Sequence, residues 1–230
     1  MKKSLILIFI SLIMLVNINY SDAITTKTIL LSSPIEDTYV HNLLPNEPQN
    51  YPYLWIQNST LPINKYTLDY TLVKFDISSI PQDANILSAK ISLYLAQDYI
   101  PSGTGWNVKA YRISNQIWDE HTTTWNNRPL INLVIEDTLW FDSNSIKNIY
   151  YSWDITNALK TDYNLNNNNF SIGLIPTDRI GTISGTTNYL SFRSKEYLAF
   201  PNPPTLTIIY TTPSNPIPSK LRPIMIDDFQ

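Results

Sequence analysis

The stretch YTLVKFDISSIPQDANILSAKISLYL, Tyr70 to Leu95, decides the fold class. In its first half Val73, Phe75 and Ile77 alternate with Lys74 and Asp76, the period-2 pattern of a strand with one buried face. In its second half Ala89, Ile91, Leu93 and Leu95 alternate with Lys90, Ser92 and Tyr94. Both runs can lay an apolar face on one core and turn the other to water, joined by a compact connector around Ile80 and Pro81. The pattern predicts Val73, Phe75, Ile77, Ile91 and Leu93 in the core of a two-sheet sandwich.

The chain on either side keeps the same habit. Asp37-Thr38-Tyr39-Val40 and Leu54-Trp55-Ile56 read as strands before the central pair, with Pro45, Pro48 and Pro52 breaking the chain between them. After it, Asn107 to Ile113, Phe170 to Pro176, Tyr189 to Arg193 and Leu206 to Tyr210 read as further strands. Only Asp154 to Tyr163, DITNALKTDY, carries helical spacing, with Ile155, Ala158 and Leu159 on one face. The expectation is an all-β chain: a single antiparallel jelly-roll-like β-sandwich with at most one or two short helical turns, over residues 24–212.

Composition narrows the function classes. The 230 residues are 43% hydrophobic and 12% aromatic, enough for a substantial core. Only 15% are charged and the net charge is -3, so no basic field draws a nucleic acid. The absence of cysteine excludes disulfides, thiolate metal sites and a cysteine nucleophile.

Residues 1–23 read as a signal peptide: Lys2 and Lys3, an apolar run from Leu5 to Val16, then Ser21-Asp22-Ala23 as the cleavage site. The run is too short to span a bilayer, which takes roughly 20 apolar residues. The expectation is a secreted protein, extracellular or at the cell surface, with no membrane contact after cleavage. Residues 213–230 form a proline-rich tail with Pro213, Pro216, Pro218 and Pro223, ending in the apolar cluster Ile224-Met225-Ile226.

Five blocks are distinctive in their order: DTYV at Asp37 to Val40, LVKFDISSIPQDANILSAKISLYL at Leu72 to Leu95, WDEHTTTWNNRP at Trp118 to Pro129, WDITNAL at Trp153 to Leu159, and SFRSKEYLAFPNPPTLTIIY at Ser191 to Tyr210. Together they resemble the DNRLRE-domain family over Thr28 to Tyr210. That resemblance implies an exported, carbohydrate-binding-module-like β-sandwich. The chain departs from the family where a glycine and an arginine usually precede the first central strand; here stands Leu68-Asp69-Tyr70-Thr71.

Trp118 and Trp125 are assigned to the core, each indole N–H turned to a backbone acceptor, with a platform on which a pyranose stacks as the alternative; Trp153 is assigned to the core as well. Lys74 and Asp76 point outward on a central strand, and Lys109 and Tyr111 alternate with Val108, Ala110 and Arg112 on another; Lys74, Asp76, Tyr111 and Arg112 are taken from these as one candidate ligand surface. Arg112 and Arg193 offer fork geometry to uronic acid carboxylates, with internal ion pairs as the alternative. Tyr53 and Trp55, in the segment NYPYLWI with Tyr51, form a second candidate. Asn58 and Asn169 open glycosylation sequons in apparent loops.

Catalytic signatures are missing: no HExxH, GxSxG, phosphate loop or paired-histidine metal spacing, and His121 stands alone beside Glu120. The chain reads as no enzyme, with no cofactor apart from a structural calcium for which Asp37, Asp76 and Glu196 supply oxygen ligands. Two functions fit: a non-catalytic module adhering to polysaccharide or a cell-surface component, and a structural surface or matrix protein whose subunits self-associate through terminal strands.

Overall fold

The computed structural model describes residues 25–61, 65–180, 188–199 and 201–213. Residues 1–24, which hold the expected signal peptide, and the end of the tail, including Ile224-Met225-Ile226, lie outside the described residues. In chain order the strands are β1 (Thr25–Leu31), β2 (Glu36–His41), β3 (Tyr53–Leu61), β4 (Lys65–Asp76), β5 (Asn85–Tyr99), β6 (Gly105–Ile113), β7 (Ile131–Asp142) and β8 (Ile149–Asp154). The helix α1 (Thr156–Asn164) follows, and β9 (Asn169–Ile180), β10 (Tyr189–Arg193) and β11 (Thr205–Thr212) complete the fold. All pairings are antiparallel within one curled sheet of order β1-β11-β5-β10-β3-β4-β9-β6-β7, with β2 added to β4 and β8 to β5. This is an all-β sandwich with one short helix.

The two runs of the central stretch are β4 and β5, and their length organises the rest. At 12 and 15 residues they far exceed the ordinary strand of about 5–6 residues. Each therefore serves three neighbours: β4 pairs with β3, β2 and β9, and β5 with β11, β10 and β8. Strands β3 and β10 bridge from one to the other, which curls the sheet around its core.

Val73, Phe75, Ile77, Ile91 and Leu93 are all buried, packed with Leu54, Trp106, Trp153, Phe170 and Phe192. Ile80 and Ala84 of the connector close the same core. Trp153 hydrogen-bonds the Val108 carbonyl at 3.0 Å, so its polar edge is satisfied in the dry interior. Helix α1 turns Ala158 and Leu159 into the same core, both buried.

The other face of β4 does not stay wet. The segment Trp118 to Pro129 folds over it, and Leu72, Val40, Ile113 and Trp118 form a second small core flanked by Tyr70, Trp125 and Ile131. Lys74 is only 5% exposed, its ammonium 4.5 Å from the Trp118 ring centroid and bonded to the Trp118 carbonyl. A cation reaches such a depth only when an aromatic face and a carbonyl replace its water. Asn58 and Asn169 lie on strands, paired with Leu68 and Asp76, and not in loops.

Candidate functional site

Five aromatic rings form a continuous row. Tyr51 stands 6.3 Å from Tyr39, Tyr39 is 6.3 Å from Trp55, Trp55 is 4.7 Å from Tyr189, and Tyr189 is 6.3 Å from Tyr99, with interplanar angles of 21–34°. The Trp55 to Tyr189 step matches the spacing of adjacent strands, ~4.8 Å, because β3 and β10 are paired, and β2, β3, β10 and β5 each contribute one ring to the row. On β3 the alternation that buries Leu54 and Ile56 turns Tyr53 and Trp55 to the opposite side. The same alternation on β10 buries Leu190 and Phe192 and brings out Tyr189 and Arg193. The end rings are the most open, Tyr51 at 54% and Tyr99 at 55% exposure.

Arg193 extends this face. Its guanidinium carbon lies 4.5 Å from the Tyr94 ring and 4.6 Å from the Tyr197 ring. Tyr53 packs on Tyr197 at 5.2 Å and Tyr150 on Tyr94 at 5.3 Å. A hydrogen bond to Tyr197 raises the Tyr53 hydroxyl pKa, and burial raises those of Tyr39 and Tyr150. These hydroxyls stay neutral at ordinary pH and keep both donor and acceptor capacity.

Of the residues singled out from sequence, Tyr53, Trp55 and Arg193 come together on this face. Lys74 is enclosed beneath Trp118. Arg112 is 8% exposed and bidentate to Asp162 of α1, at 3.0 and 2.6 Å, so the internal ion pair is the arrangement observed. Asp76 is exposed and caps its own turn, accepting the Ser78 N–H at 2.8 Å. Tyr111 lines a different cavity, of about 480 Å³, with Tyr70, Arg128, Ile131 and Ile175. Trp118 and Trp153 are buried, and Trp125 is half-buried against Tyr70 and Arg128. Sequence reasoning missed Tyr39, Tyr94, Tyr99, Tyr189 and Tyr197. For Tyr39, Tyr94 and Tyr189 the signal was available, since each alternates with a buried aliphatic residue on a strand.

A second constellation borders the aromatic face. Asp37 of β2, Glu120 and Glu196 bring one carboxylate oxygen each within 4.8 Å of one another. Asp37 and Glu196 were expected together; Asp76 is not part of the group, because it ends β4 elsewhere, and Glu120 takes its place. Glu120 accepts the Asp37 backbone N–H at 2.9 Å, Asp37 accepts that of Lys195 at 2.9 Å, and the Lys195 ammonium bonds both glutamates. Burial, and then the facing Glu196 carboxylate, hold Asp37 well above the usual carboxylate range. Burial works upward on Glu196 too, but hydrogen bonding to Lys195 outweighs it and holds Glu196 below its usual value.

No curated protein matches the chain. The family model of carbohydrate-binding module family 96 matches residues 28–210, a span that holds both the sandwich and the aromatic row, and the chain belongs to that family.

Proposed function

We propose that this chain is a secreted, non-catalytic β-sandwich module that holds a polysaccharide against its aromatic row. The row from Tyr51 to Tyr99 carries the reading. A pyranose has a face of C–H groups that packs on a π-surface and a rim of hydroxyls that needs donors and acceptors. The row supplies rings for the first and tyrosine hydroxyls for the second, and Arg193 at its flank places a guanidinium fork beside them. Modules of this kind are typically non-catalytic and usually extracellular, which accords with a leader at residues 1–23 cleaved after Ala23, a sandwich over 24–212 and a tail from 213. Among the described residues no helix is long and apolar enough to cross a membrane. The five blocks that resemble the DNRLRE-domain family all fall inside the matched span, and we keep that name as the finer reading of it.

The test is affinity electrophoresis of the purified mature chain through gels containing a panel of polysaccharides, followed by calorimetry on those that retard it. Replacing Trp55 by alanine is expected to weaken binding at least tenfold, about 1.4 kcal/mol, with the fold intact by circular dichroism. A W55A variant that binds every glycan as the parent does would overturn the assignment of the site. Release of sugars by the pure protein would contradict its non-catalytic reading.

A structural role in a fibre or matrix has one observation in its favour. Among the described residues strand β7 ends the sheet, and Leu133 on it is 90% exposed beside exposed Val134 and Ile135. An apolar free edge is a template for a strand from another chain. Light scattering on the mature protein separates the readings: polymer at micromolar concentration supports the fibre, monomer the adhesive module.

A further inference from the structure

The acidic constellation beside the aromatic face holds more acceptors than its donors satisfy. Lys195 meets Glu120 and Glu196 from one side, and backbone N–H groups reach Asp37 and Glu120. Among the described residues no donor reaches Asp37 Oδ1 or Glu196 Oε2, both enclosed, and Asp37 is only 1% exposed. Close by, the Asn50 side-chain nitrogen bonds His121, the neighbour of Glu120, and its Oδ1 is likewise enclosed and without a donor. Buried carboxylate oxygens that face one another are stable only with a cation or a proton between them.

The donor set is entirely oxygen, which selects a hard cation. Two Ca–O bonds of about 2.5 Å span up to ~5 Å, whereas two Mg–O bonds of about 2.1 Å span only ~4.2 Å. The carboxylate oxygens lie within 4.8 Å of one another, a spread that suits the larger ion. Calcium also accepts irregular shells of 6–8 oxygens completed by water, while magnesium demands a near-ideal octahedron.

We propose that Asp37, Glu120 and Glu196 form a calcium site that clamps three segments together: strand β2, the loop from Trp118 and the turn at Ser194 to Tyr197. That turn carries Tyr197 and rests on the Tyr51 and Pro52 carbonyls, so the clamp sets one border of the aromatic face. The proposal stands independently of what the face binds.

The experiment uses the purified mature chain stripped with EDTA, titrated with calcium chloride by calorimetry and followed by thermal unfolding, with magnesium chloride as the comparison. We expect one calcium per chain with Kd no weaker than the ~10⁻⁴–10⁻³ M of extracellular calcium modules, a rise in Tm, and a smaller rise with magnesium. Asp37→Asn and, as a second variant should the first not fold, Glu196→Gln are expected to weaken calcium binding at least tenfold, while Trp55→Ala leaves it unchanged. The parent titration decides first: no saturable binding at millimolar calcium means that a shared proton alone joins Asp37 and Glu196, and the proposal falls. Calcium binding retained at full strength in a folded D37N or E196Q variant would place the ion elsewhere and overturn it equally.

Discussion

Two regions of this molecule use the same ingredients to opposite ends. Over β4, Tyr70, Trp125 and Arg128 pack together, the guanidinium 4.1 Å from the indole centroid and 5.9 Å from the Tyr70 ring. Over β5 and β10, Tyr94, Tyr197 and Arg193 pack with comparable distances of 4.5 and 4.6 Å. The first group borders a second core, because Trp125 and Arg128 belong to the Trp118 to Pro129 segment that covers this face of β4 and adds Trp118. The second borders a row of rings that ends in the open faces of Tyr51 and Tyr99. An arginine among aromatic rings is therefore neither a core nor a ligand signature in itself. What separates the two is whether a remote segment of the same chain covers them.

The largest expected effects lie where covering is complete. Phe75→Ala should cost about 3–5 kcal/mol, read as a lowered denaturation midpoint with unchanged slope. Trp118→Ala tests the second core directly: a loss of similar size would show it to be structural, while a variant as stable as the parent would show that the segment merely rests on β4. Arg112→Ala leaves Asp162 buried without its partner and should destabilise by about 3–5 kcal/mol. Glycan affinity, compared below the melting range, should not change in that variant; a selective loss of binding would restore Arg112 as a ligand residue.

The aromatic cations sharpen the contrast at smaller scale. Arg128→Ala should lower stability by about 0.5–2 kcal/mol through its lost ring contacts and leave glycan binding alone. Arg193→Ala should do the reverse, weakening retention by glycan more than it shifts Tm. If the two variants behaved alike, the distinction between covered and open regions would fail. The smallest effect belongs to deletion of Leu221 to Gln230, expected to change neither melting nor glycan binding of the monomer. Loss of assembly on that deletion, in a protein that otherwise polymerises, would make the tail a connector.

Much of the fold was legible because its strands are long and one-sided. The alternation from Tyr70 to Leu95 is the signature of β4 and β5, Tyr189 to Arg193 is β10 as read, and DITNALKTDY holds all of α1 but its last residue. Strands β7 and β8 were not anticipated. On β7 only Phe141 is fully buried, and register shifts against β6 between Ala110 and Ile113 interrupt any period. On β8 only Trp153 is buried, so the remaining side chains carry no inward constraint.

The site was half legible for a related reason. Alternation tells which residues leave the main core, and it does so correctly for Tyr53 and Trp55 on β3. It cannot tell what they meet next. Lys74 leaves the core by the same rule yet is covered by Trp118, and Arg112, in phase with buried Val108 and Ala110 on β6, is met by Asp162.

By itself, then, the amino-acid order determined the period of each long strand, the side of the main core on which each residue falls, the lack of any cysteine chemistry and the family of the chain. These are local properties, written in neighbours two residues apart or in short blocks read in order. Only the tertiary structure decided that Tyr39, Trp55, Tyr189 and Tyr99 stand in one row, and that Glu120 and not Asp76 joins Asp37 and Glu196. The physical reason is strand order: β2, β3, β10 and β5 become neighbours by curling a sheet whose long strands each hold three partners, and no local period encodes which distant edges will meet.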